Sequence, residues 1–302
     1  MDFKNYLVPG KTGLLIGIGG VSMSPLAEVL HDAGLDIRGS DMAESSNTLT
    51  LRERGIPIHI GHSADNVTDD ISFVIRTAAV HDDNPEVHEA HRRGIPVFER
   101  TQAWGALMRG YQNALCISGT HGKTTTTSMC THIMMAAEKD PTVMIGGTLP
   151  LLKACHRVGK GNTIIMESCE YYNSFLALNP TIAVVLNIEA DHLDFFKDLE
   201  DIKHSFRCFA ERVPAETGTV IANYDDANTM DALRGIARKV ITFGLNAKAD
   251  VYAQNIVHRG SVSEFDIYHR GNYFARVTLH VPGIHNVRNA LAATAAAIVL
   301  GV

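Results

Sequence analysis

The sequence predicts an α/β protein of two domains, in which parallel strands alternate with helices. Short apolar runs of strand length alternate with segments of helical periodicity through most of the chain. Two of these runs, at 13–18 and 115–118, lead into glycine-containing turns that precede helical segments. The length of 302 residues is enough for two domains of ordinary size.

The composition is that of a globular protein without a large basic surface. Hydrophobic residues make up 45% and charged residues 20% of the chain, and the formal net charge is −6. This acidic balance argues against a nucleic-acid partner, which needs a basic face. No apolar segment at the N-terminus is long enough for a signal or membrane helix, so no membrane insertion is expected. The five cysteines form no CxxC pair, which indicates reduced thiols and a cytoplasmic location.

The most specific motif is a phosphate-binding loop between a strand and a helix. The loop has two residues between its glycines, where the general pattern has four. Glycine lets backbone N–H groups approach phosphate oxygens, and the helix N-terminus adds partial positive charge. Lys123 is placed to reach the β- and γ-phosphates of a nucleotide, and the Thr124 hydroxyl to hold Mg²⁺. The candidate ATP-binding residues of the loop are Gly119, Thr120, His121, Gly122, Lys123, Thr124 and Thr125.

The first domain begins with a βαβ unit whose first turn is rich in glycine. The turn Gly-Ile-Gly-Gly-Val-Ser occupies 17–22, and a second strand, 36–40, ends at Asp41. This pattern is typical of a Rossmann-like domain that holds a pyrophosphate at the helix N-terminus. The fingerprint is imperfect because Ser22 stands where a third glycine is expected. The spacing alone does not separate NAD from a UDP-sugar as the ligand.

The alternation continues beyond this unit. Strand-like runs at 73–75 and 95–98 flank a helical segment at 85–93. A polar stretch near 109–113 predicts the boundary between domains at 1–109 and 110–302.

Polar residues in the second domain follow buried strands. The apolar run 163–166 ends in Glu167 and Glu170, and the run 181–186 is followed by Asp191 and His192. Because α/β sites gather at the carboxyl ends of strands, these side chains are expected near the phosphate loop. Three alternating runs, at 251–256, 262–268 and 274–281, predict antiparallel strands appended to the main sheet.

These motifs resemble those of the Mur ligases, the ATP-dependent enzymes that build the peptide stem of peptidoglycan. The resemblance rests on Gly-Thr-His-Gly-Lys-Thr-Thr-Thr at 119–126, Asn-Ile-Glu-Ala-Asp-His-Leu-Asp at 187–194 and Gly-Ile-His-Asn-Val-Arg-Asn-Ala at 283–290. It covers nearly the whole chain, from about 13 to 302. It implies a Rossmann-like UDP-binding domain followed by a P-loop ATPase-like central domain with a mostly parallel sheet and an appended antiparallel sheet.

Within the family, the motifs are most similar to those of members that join L-alanine to UDP-N-acetylmuramate. The resemblance implies that the lactyl carboxylate attacks the γ-phosphate of ATP, and that L-alanine then displaces phosphate from the acyl phosphate. It implies ATP and Mg²⁺ as cofactors, and UDP-N-acetylmuramate, ATP and L-alanine as small-molecule substrates.

The resemblance also assigns roles to individual residues. It implies catalytic roles for Lys123, His121, Glu167 and His192, and Mg²⁺ binding by Thr124, Glu167 and His192. It places Asn286 and Asn289 at the adenine edge. It assigns the UDP-sugar to Gly17, Gly19, Gly20, Ser22, Ser40 and Asp41. Asp191 is expected to orient His192, whereas Cys169 replaces an acid of the family pattern.

Several alternatives stay open at this stage. Plain structural roles compete for His121 as a packed loop residue, for His192 as a structural histidine, and for Asn286 as a helix N-cap. The chain could belong to a ligase that adds another amino acid or a tripeptide, or be a nucleotide-binding fragment without ligase activity. The family carries a third, C-terminal α/β domain of roughly 100–150 residues. Because the chain ends at Val302, we expect that domain to be absent and the chain to bind ligands without turnover. No oligomeric state is predicted.

Overall fold

A computed structural model describes residues 2–302 and divides them between Gly110 and Tyr111 into two units, each with its own sheet and core. The sheet of the first unit is parallel and has the order β3-β2-β1-β4-β5. Its strands are β1 (Thr12–Ile16), β2 (Asp36–Asp41), β3 (Ile58–Ile60), β4 (Ile71–Arg76) and β5 (Val97–Glu99). Its helices are α1 (Ser24–Asp32), α2 (Ser46–Glu53), α3 (Pro85–Arg92) and α4 (Arg100–Met108).

Local chemistry explains how the predicted elements of this unit begin. All five residues of β1 are buried, as expected for the central strand of a parallel sheet. Helix α3 starts as predicted, with Pro85 in its first turn and the Asn84 side chain accepting hydrogen bonds from the N–H groups of Glu86 and Val87. The sequence analysis missed α2, β3 and α4. In α2, for example, only Thr48 and Leu51 are buried, so the helix has little apolar periodicity to detect.

The second unit is built on a ten-stranded sheet in the order β15-β14-β13-β12-β11-β10-β6-β9-β7-β8. Its strands are β6 (Asn113–Ser118), β7 (Thr142–Leu149), β8 (Ala154–Arg157), β9 (Thr163–Glu167), β10 (Ile182–Val185), β11 (Thr219–Asn223), β12 (Lys239–Gly244), β13 (Val251–Arg259), β14 (Val262–His269) and β15 (Asn272–Leu279). Its helices are α5 (Lys123–Ala136), α6 (Leu199–Glu211), α7 (Ala227–Ala232) and α8 (Ile284–Leu300).

The predicted combination of parallel and antiparallel strands is confirmed. In the order of the sheet, every neighbouring pair from β13 to β7 is parallel. Strand β8, at the edge, is antiparallel to β7. The antiparallel β14 and β15 extend the same sheet through β13. Strand β7 continues through Gly146 and Gly147 to Leu149 and pairs there with β8.

Helix α8 covers the core of the second unit. Its buried face consists mainly of alanines, namely Ala292, Ala293, Ala295, Ala296 and Ala297. Small side chains let the helix pack closely against α5 and the sheet. This packing brings Asn289, in the second turn of α8, beside Gly122 in the loop that follows β6. None of the helices in the described residues is both long and apolar enough to cross a membrane.

An aromatic cluster anchors the segment Tyr171–Ala177, which follows β9. Tyr172 and Asn173 have positive φ angles of 53° and 55°, a left-handed conformation that is costly for residues other than glycine. Phe175 is buried and stacks on Phe209 at a ring-centroid distance of 4.6 Å, with Phe206 edge-on at 5.3 Å. These contacts hold the strained segment in place.

We expect Phe175→Ala to lower the free energy of unfolding of the second unit by about 3–5 kcal/mol, because it leaves a cavity in a packed core. Phe274→Ala, on an exposed position of β15, should change it by less than about 0.5 kcal/mol. Urea unfolding followed by circular dichroism measures both variants. Equal losses would contradict the anchoring role.

Candidate functional site

The phosphate loop connects β6 to α5 in a conformation that requires glycine at both ends. Gly119 and Gly122 have φ angles of 145° and 85°. A Cβ atom at Gly119 would lie 2.8 Å from the Cβ of Leu186, and one at Gly122 would lie 2.7 Å from the Oδ1 of Asn289. The loop therefore cannot take a side chain at either position without strain and displacement.

Lys123 lies across its own loop and is paired with a buried carboxylate. Its Nζ donates to the carbonyl oxygens of Gly119 and Thr120 at 2.5 and 3.2 Å and lies 3.0 Å from Oε2 of Glu170. The side chains of Lys123 and Glu170 are only 14% and 3% exposed. A phosphate bound in the loop would compete with Glu170 for the ammonium group.

The sequence analysis expected Glu170 near the phosphate loop but assigned it no role. The available signal was its position, since it is the second acid to follow the strand that ends at Glu167. Between the two acids, desolvation raises the pKa of the Cys169 thiol, so this position stays uncharged where the family pattern has an acid.

Thr124 and Glu167 form a pair of oxygen donors beside the loop. The Thr124 hydroxyl donates to Oε1 and Oε2 of Glu167 at 3.0 and 2.9 Å, and the Gly146 N–H donates to Oε2 at 2.7 Å. The described residues contain no group of three or more His, Cys, Asp or Glu side chains arranged to hold a metal. A hydroxyl and a carboxylate suit Mg²⁺, which generally takes one or two protein oxygens and completes its shell with phosphate and water.

His192 is joined to the site through Glu170. Its Nε2 lies 4.0 Å from Oε1 of Glu170, and its ring stacks on Tyr171 at a centroid distance of 4.3 Å. The residue has a positive φ of 53°. The Asp191 carboxylate accepts a hydrogen bond from the His192 backbone N–H at 2.7 Å. It therefore supports the backbone, and the expectation that Asp191 also orients the ring stays a prediction.

The loop residues before Lys123 differ in what they offer a ligand. Thr120 is buried, and its hydroxyl accepts from the N–H of Glu189 at 2.9 Å, so it fixes the neighbouring loop. The backbone of His121 is paired with the side chain of Asn187, whereas its ring is 66% exposed and does not pack inside the loop. Thr125 lies half-buried in the first turn of α5.

A cleft of about 500 Å³ adjoins the loop. Its polar lining consists of His121, Asn187, Glu189, Asn223, Asp225, Asp226, His285, Arg288 and Asn289. Asn289 faces this cleft, and its Nδ2 donates to Oδ1 of Asn286 at 3.2 Å. Asn286 itself donates to the carbonyl of Pro282 at 2.7 Å and does not line the cleft. The N-cap of α8 is Gly283, so the N-cap alternative for Asn286 was wrong.

Asp225 and Arg288 are cleft residues that the sequence analysis missed. Asp225 follows β11 just as Glu170 follows β9, so the same rule of acids after buried strands would have found it. Arg288 lies one turn into α8 with its Nε 3.7 Å from Oδ2 of Asp225, a pairing that only the fold creates.

The first unit has a separate cleft of about 670 Å³ at its glycine turn. It is lined by the candidates Gly17, Gly19, Gly20 and Asp41, together with residues that include Ser45, His62, Thr77 and Asn84. Asp41 accepts a hydrogen bond from the N–H of Gly19 at 2.8 Å. The acid at the end of the second strand therefore supports the glycine turn.

Two predicted UDP-sugar residues do not reach this cleft. Ser40 is fully buried and donates to the Glu86 carboxylate at 2.7 Å, because alternation along β2 turns it away from the side that Asp41 faces. The Ser22 hydroxyl accepts a hydrogen bond from Arg100, and its carbonyl accepts from Nε1 of Trp104 at 3.2 Å. Both hydroxyls are bonded to protein side chains and neither residue lines the cleft, so their assignment as direct contacts is corrected.

The Lys123–Glu170 pair yields a test of stability. We expect Lys123→Met to lower the free energy of unfolding of the second unit by about 3 kcal/mol, because it leaves the buried Glu170 carboxylate unpaired. The double variant Lys123→Met/Glu170→Gln should be less destabilised than the single one. Lys248→Met, at an exposed position, serves as the control. Urea titration measures the differences, and a double variant with additive losses would show that the two side chains are not coupled.

Comparison with known families covers both units. Residues 15–112 match the model described as "Mur ligase family, catalytic domain", and residues 117–297 match the Mur ligase middle domain. The chain is 46% identical over 287 residues to the UDP-N-acetylmuramate–L-alanine ligase of Agathobacter rectalis. This match covers 95% of this chain and 62% of that protein. It is 44% identical over 302 residues to the ligase of the same name from Clostridium novyi, covering 100% of this chain and 65% of that one.

Solved structures show the same relationship. A crystal structure of UDP-N-acetylmuramate–alanine ligase from Thermotoga maritima has a TM-score of 0.79 and 31% identity, and covers 96% of this chain and 65% of that chain. The UDP-N-acetylmuramate:L-alanyl-γ-D-glutamyl-meso-diaminopimelate ligase of Neisseria meningitides has a TM-score of 0.85 and 26% identity, with coverage of 97% and 94%. The chain spans 62–65% of the length of the two curated relatives above. The motifs, the two sheets and these matches together show that the chain belongs to the Mur ligase family.

Proposed function

We propose that the chain binds Mg-ATP in its second unit and UDP-N-acetylmuramate in its first, and that it takes part in joining L-alanine to the lactyl carboxylate of that sugar. The observation that supports this most directly is the convergence of Lys123, Thr124 and Glu167 at the glycine loop. The relatives at 44–46% identity are named UDP-N-acetylmuramate–L-alanine ligases. The five cysteines are unpaired, which suits a cytoplasmic location.

The geometry supports phosphoryl transfer by positioning. Lys123 would exchange its carbonyl and Glu170 partners for phosphate oxygens, and the loop N–H groups at the start of α5 would face the same phosphates. Mg²⁺, held by Thr124 and Glu167, would neutralise charge on those oxygens. The lactyl carboxylate would attack the γ-phosphorus and release ADP, and the amine of L-alanine would then displace phosphate from the acyl phosphate. The exposed ring of His121 stands at the loop, where it can meet the substrate carboxylate.

Asn289 and Arg288 extend this site toward the base and phosphates of the nucleotide. The Asn289 amide offers both a donor and an acceptor to an adenine edge. Arg288 adds a guanidinium to a cleft that otherwise carries Glu189, Asp225 and Asp226. Of these charged groups, the guanidinium is the one that attracts anionic phosphates.

A ligase that adds a tripeptide is the second candidate. The reason is that the Neisseria meningitides ligase, which is named for L-alanyl-γ-D-glutamyl-meso-diaminopimelate, matches this chain with a TM-score of 0.85. That ligase type is expected to carry Phe before the acid and Ala after the histidine of the 187–194 motif. This chain has Ala190 and Leu193 at those positions. Together with the higher identity to alanine ligases, this difference favours L-alanine.

Ligand titration tests the proposal for the first unit. We expect UDP-N-acetylmuramate to bind more tightly than UDP, and NADH to bind much more weakly than either, when each is titrated into the full chain by calorimetry. The reason is that the cleft lies at the glycine turn and the matched relatives are named for a UDP-sugar substrate. Tighter binding of NADH than of the UDP-sugar would overturn the proposal.

Neighbouring glycines in β7 give a matched test of the metal site. A Cβ at Gly146 would lie 2.7 Å from Oε1 of Glu167, whereas one at Gly147 would meet only the Cγ2 of Thr124 at an ordinary 3.5 Å. We expect Gly146→Ala to displace the carboxylate and weaken Mg²⁺-dependent ATP binding by about 10-fold, the equivalent of roughly 1.4 kcal/mol.

Gly147→Ala is the control and should bind within about 2-fold of the wild type, a difference of only ~0.4 kcal/mol. Calorimetry with ATP, in the presence and absence of Mg²⁺, separates loss of metal binding from loss of nucleotide binding. Equal behaviour of the two variants would show that Glu167 does not hold the metal.

A further inference from the structure

A buried polar cluster lies behind the cleft of the first unit. At its centre is Glu86, whose side chain is 0% exposed. The Ser40 hydroxyl and the Nδ1 of His62 lie 2.7 and 2.8 Å from its Oε2, and Nδ2 of Asn66 lies 2.6 Å from its Oε1. Among the described residues, the titratable side chain that contacts this carboxylate is His62. Such a site is costly to build, because an unpaired buried carboxylate loses its hydration.

The contacts of Nδ1 favour a proton on that nitrogen of His62. A carboxylate only accepts hydrogen bonds, so Nδ1 is the donor when it faces the carboxylate form of Glu86. The hydroxyl of Ser40 already donates to the same oxygen. In a neutral ring with a proton on Nδ1, the other nitrogen, Nε2, is an acceptor.

His62 also lines the cleft with Gly17 and Asp41, although its side chain is only 11% exposed. Nδ1 faces Glu86. A fully buried Nε2 without a partner would count among the buried unpaired polar atoms, and Nε2 does not. We therefore place Nε2 on the cleft side of the ring. No protein hydrogen bond to Nε2 is found within residues 2–302.

We propose that Glu86 is a positioning residue that holds His62 as its Nδ1–H tautomer, so that Nε2 accepts a hydrogen bond from a donor group of the uridine moiety. This inference rests on the proposed binding of a UDP-sugar. An acceptor nitrogen repels phosphate oxygens, whereas uridine offers the uracil N3–H and the ribose hydroxyls as donors. Loss of one such bond should weaken UDP binding about 3- to 10-fold.

The positioning role is tested first without ligand. Nitrogen-15 NMR of the labelled 302-residue chain, with His62 assigned by its loss in His62→Ala, reports the tautomer. We expect the Nδ1–H form in the wild type and a shift toward the Nε2–H form in Glu86→Gln, because the amide of glutamine can donate to Nδ1. A wild-type ring protonated on Nε2, alone or together with Nδ1, would overturn the inference.

Affinity for UDP provides the second measurement. His62→Ala and Glu86→Gln should each weaken UDP binding about 3- to 10-fold, and the double variant should bind no more weakly than His62→Ala alone. Additive losses would mean that Glu86 acts on the fold and not through His62. His88→Ala, an exposed histidine on the same helix as Glu86, is the control and should bind like the wild type.

UDP analogues identify the donor. N3-methyl-UDP removes the base donor, and 2′-deoxy-UDP and 3′-deoxy-UDP remove the ribose donors. The analogue that lacks the donor should bind the wild type and His62→Ala with equal affinity. If all three analogues still bind the wild type more tightly than His62→Ala, by the same factor as UDP does, the contact is overturned.

If Glu86→Gln does not fold, the wild-type tautomer and the His62→Ala affinity still decide the inference. Failure of the wild type to bind UDP at all would overturn both the proposed function and the ligand contact. The ligand-free tautomer would then still decide the positioning role of Glu86 by itself.

Discussion

The position of β6 between β9 and β10 determines the candidate site of the second unit. Parallel pairing places Ile117 beside Glu167 and Ser118 beside Val185, so three strands end at one edge of the sheet. The phosphate loop, the acids after β9 and the loop after β10 therefore meet without any of them being close in sequence. The hydrogen bond from the N–H of Glu189 to the Thr120 hydroxyl then ties two of these loops together.

Each candidate phosphate-binding side chain of this edge already has partners within the protein. Lys123 has two carbonyls and Glu170, and the Thr124 hydroxyl has Glu167. In the proposed complex, ligand binding would exchange these internal partners for phosphate and metal, and its free energy would be the difference between two sets of favourable contacts. The benefit is geometric, because buried ion pairs and short hydrogen bonds hold the side chains near their working positions before a ligand arrives.

The two units use glycine turns at the carboxyl edge of a parallel sheet in different ways. In the first unit, the N–H groups of Gly17 and Gly19 already bond to the Ser40 carbonyl and the Asp41 carboxylate, both at 2.8 Å. Side chains around the turn, including His62, also line the cleft, and we propose that they distinguish ligands there. In the second unit the loop carries Lys123, so charge is part of the loop itself.

The sequence by itself determined the fold class, the strands around both glycine turns and the residues of the phosphate loop. It did so because strand periodicity, glycine conformation and the Lys-Thr pair are local properties of the chain. Only the tertiary structure decided that Ser22 and Ser40 face away from the cleft, that Glu170 neutralises Lys123, and that Arg288 meets Asp225. Those facts depend on which face of an element is covered and on which distant strand ends are neighbours, and neither follows from local sequence.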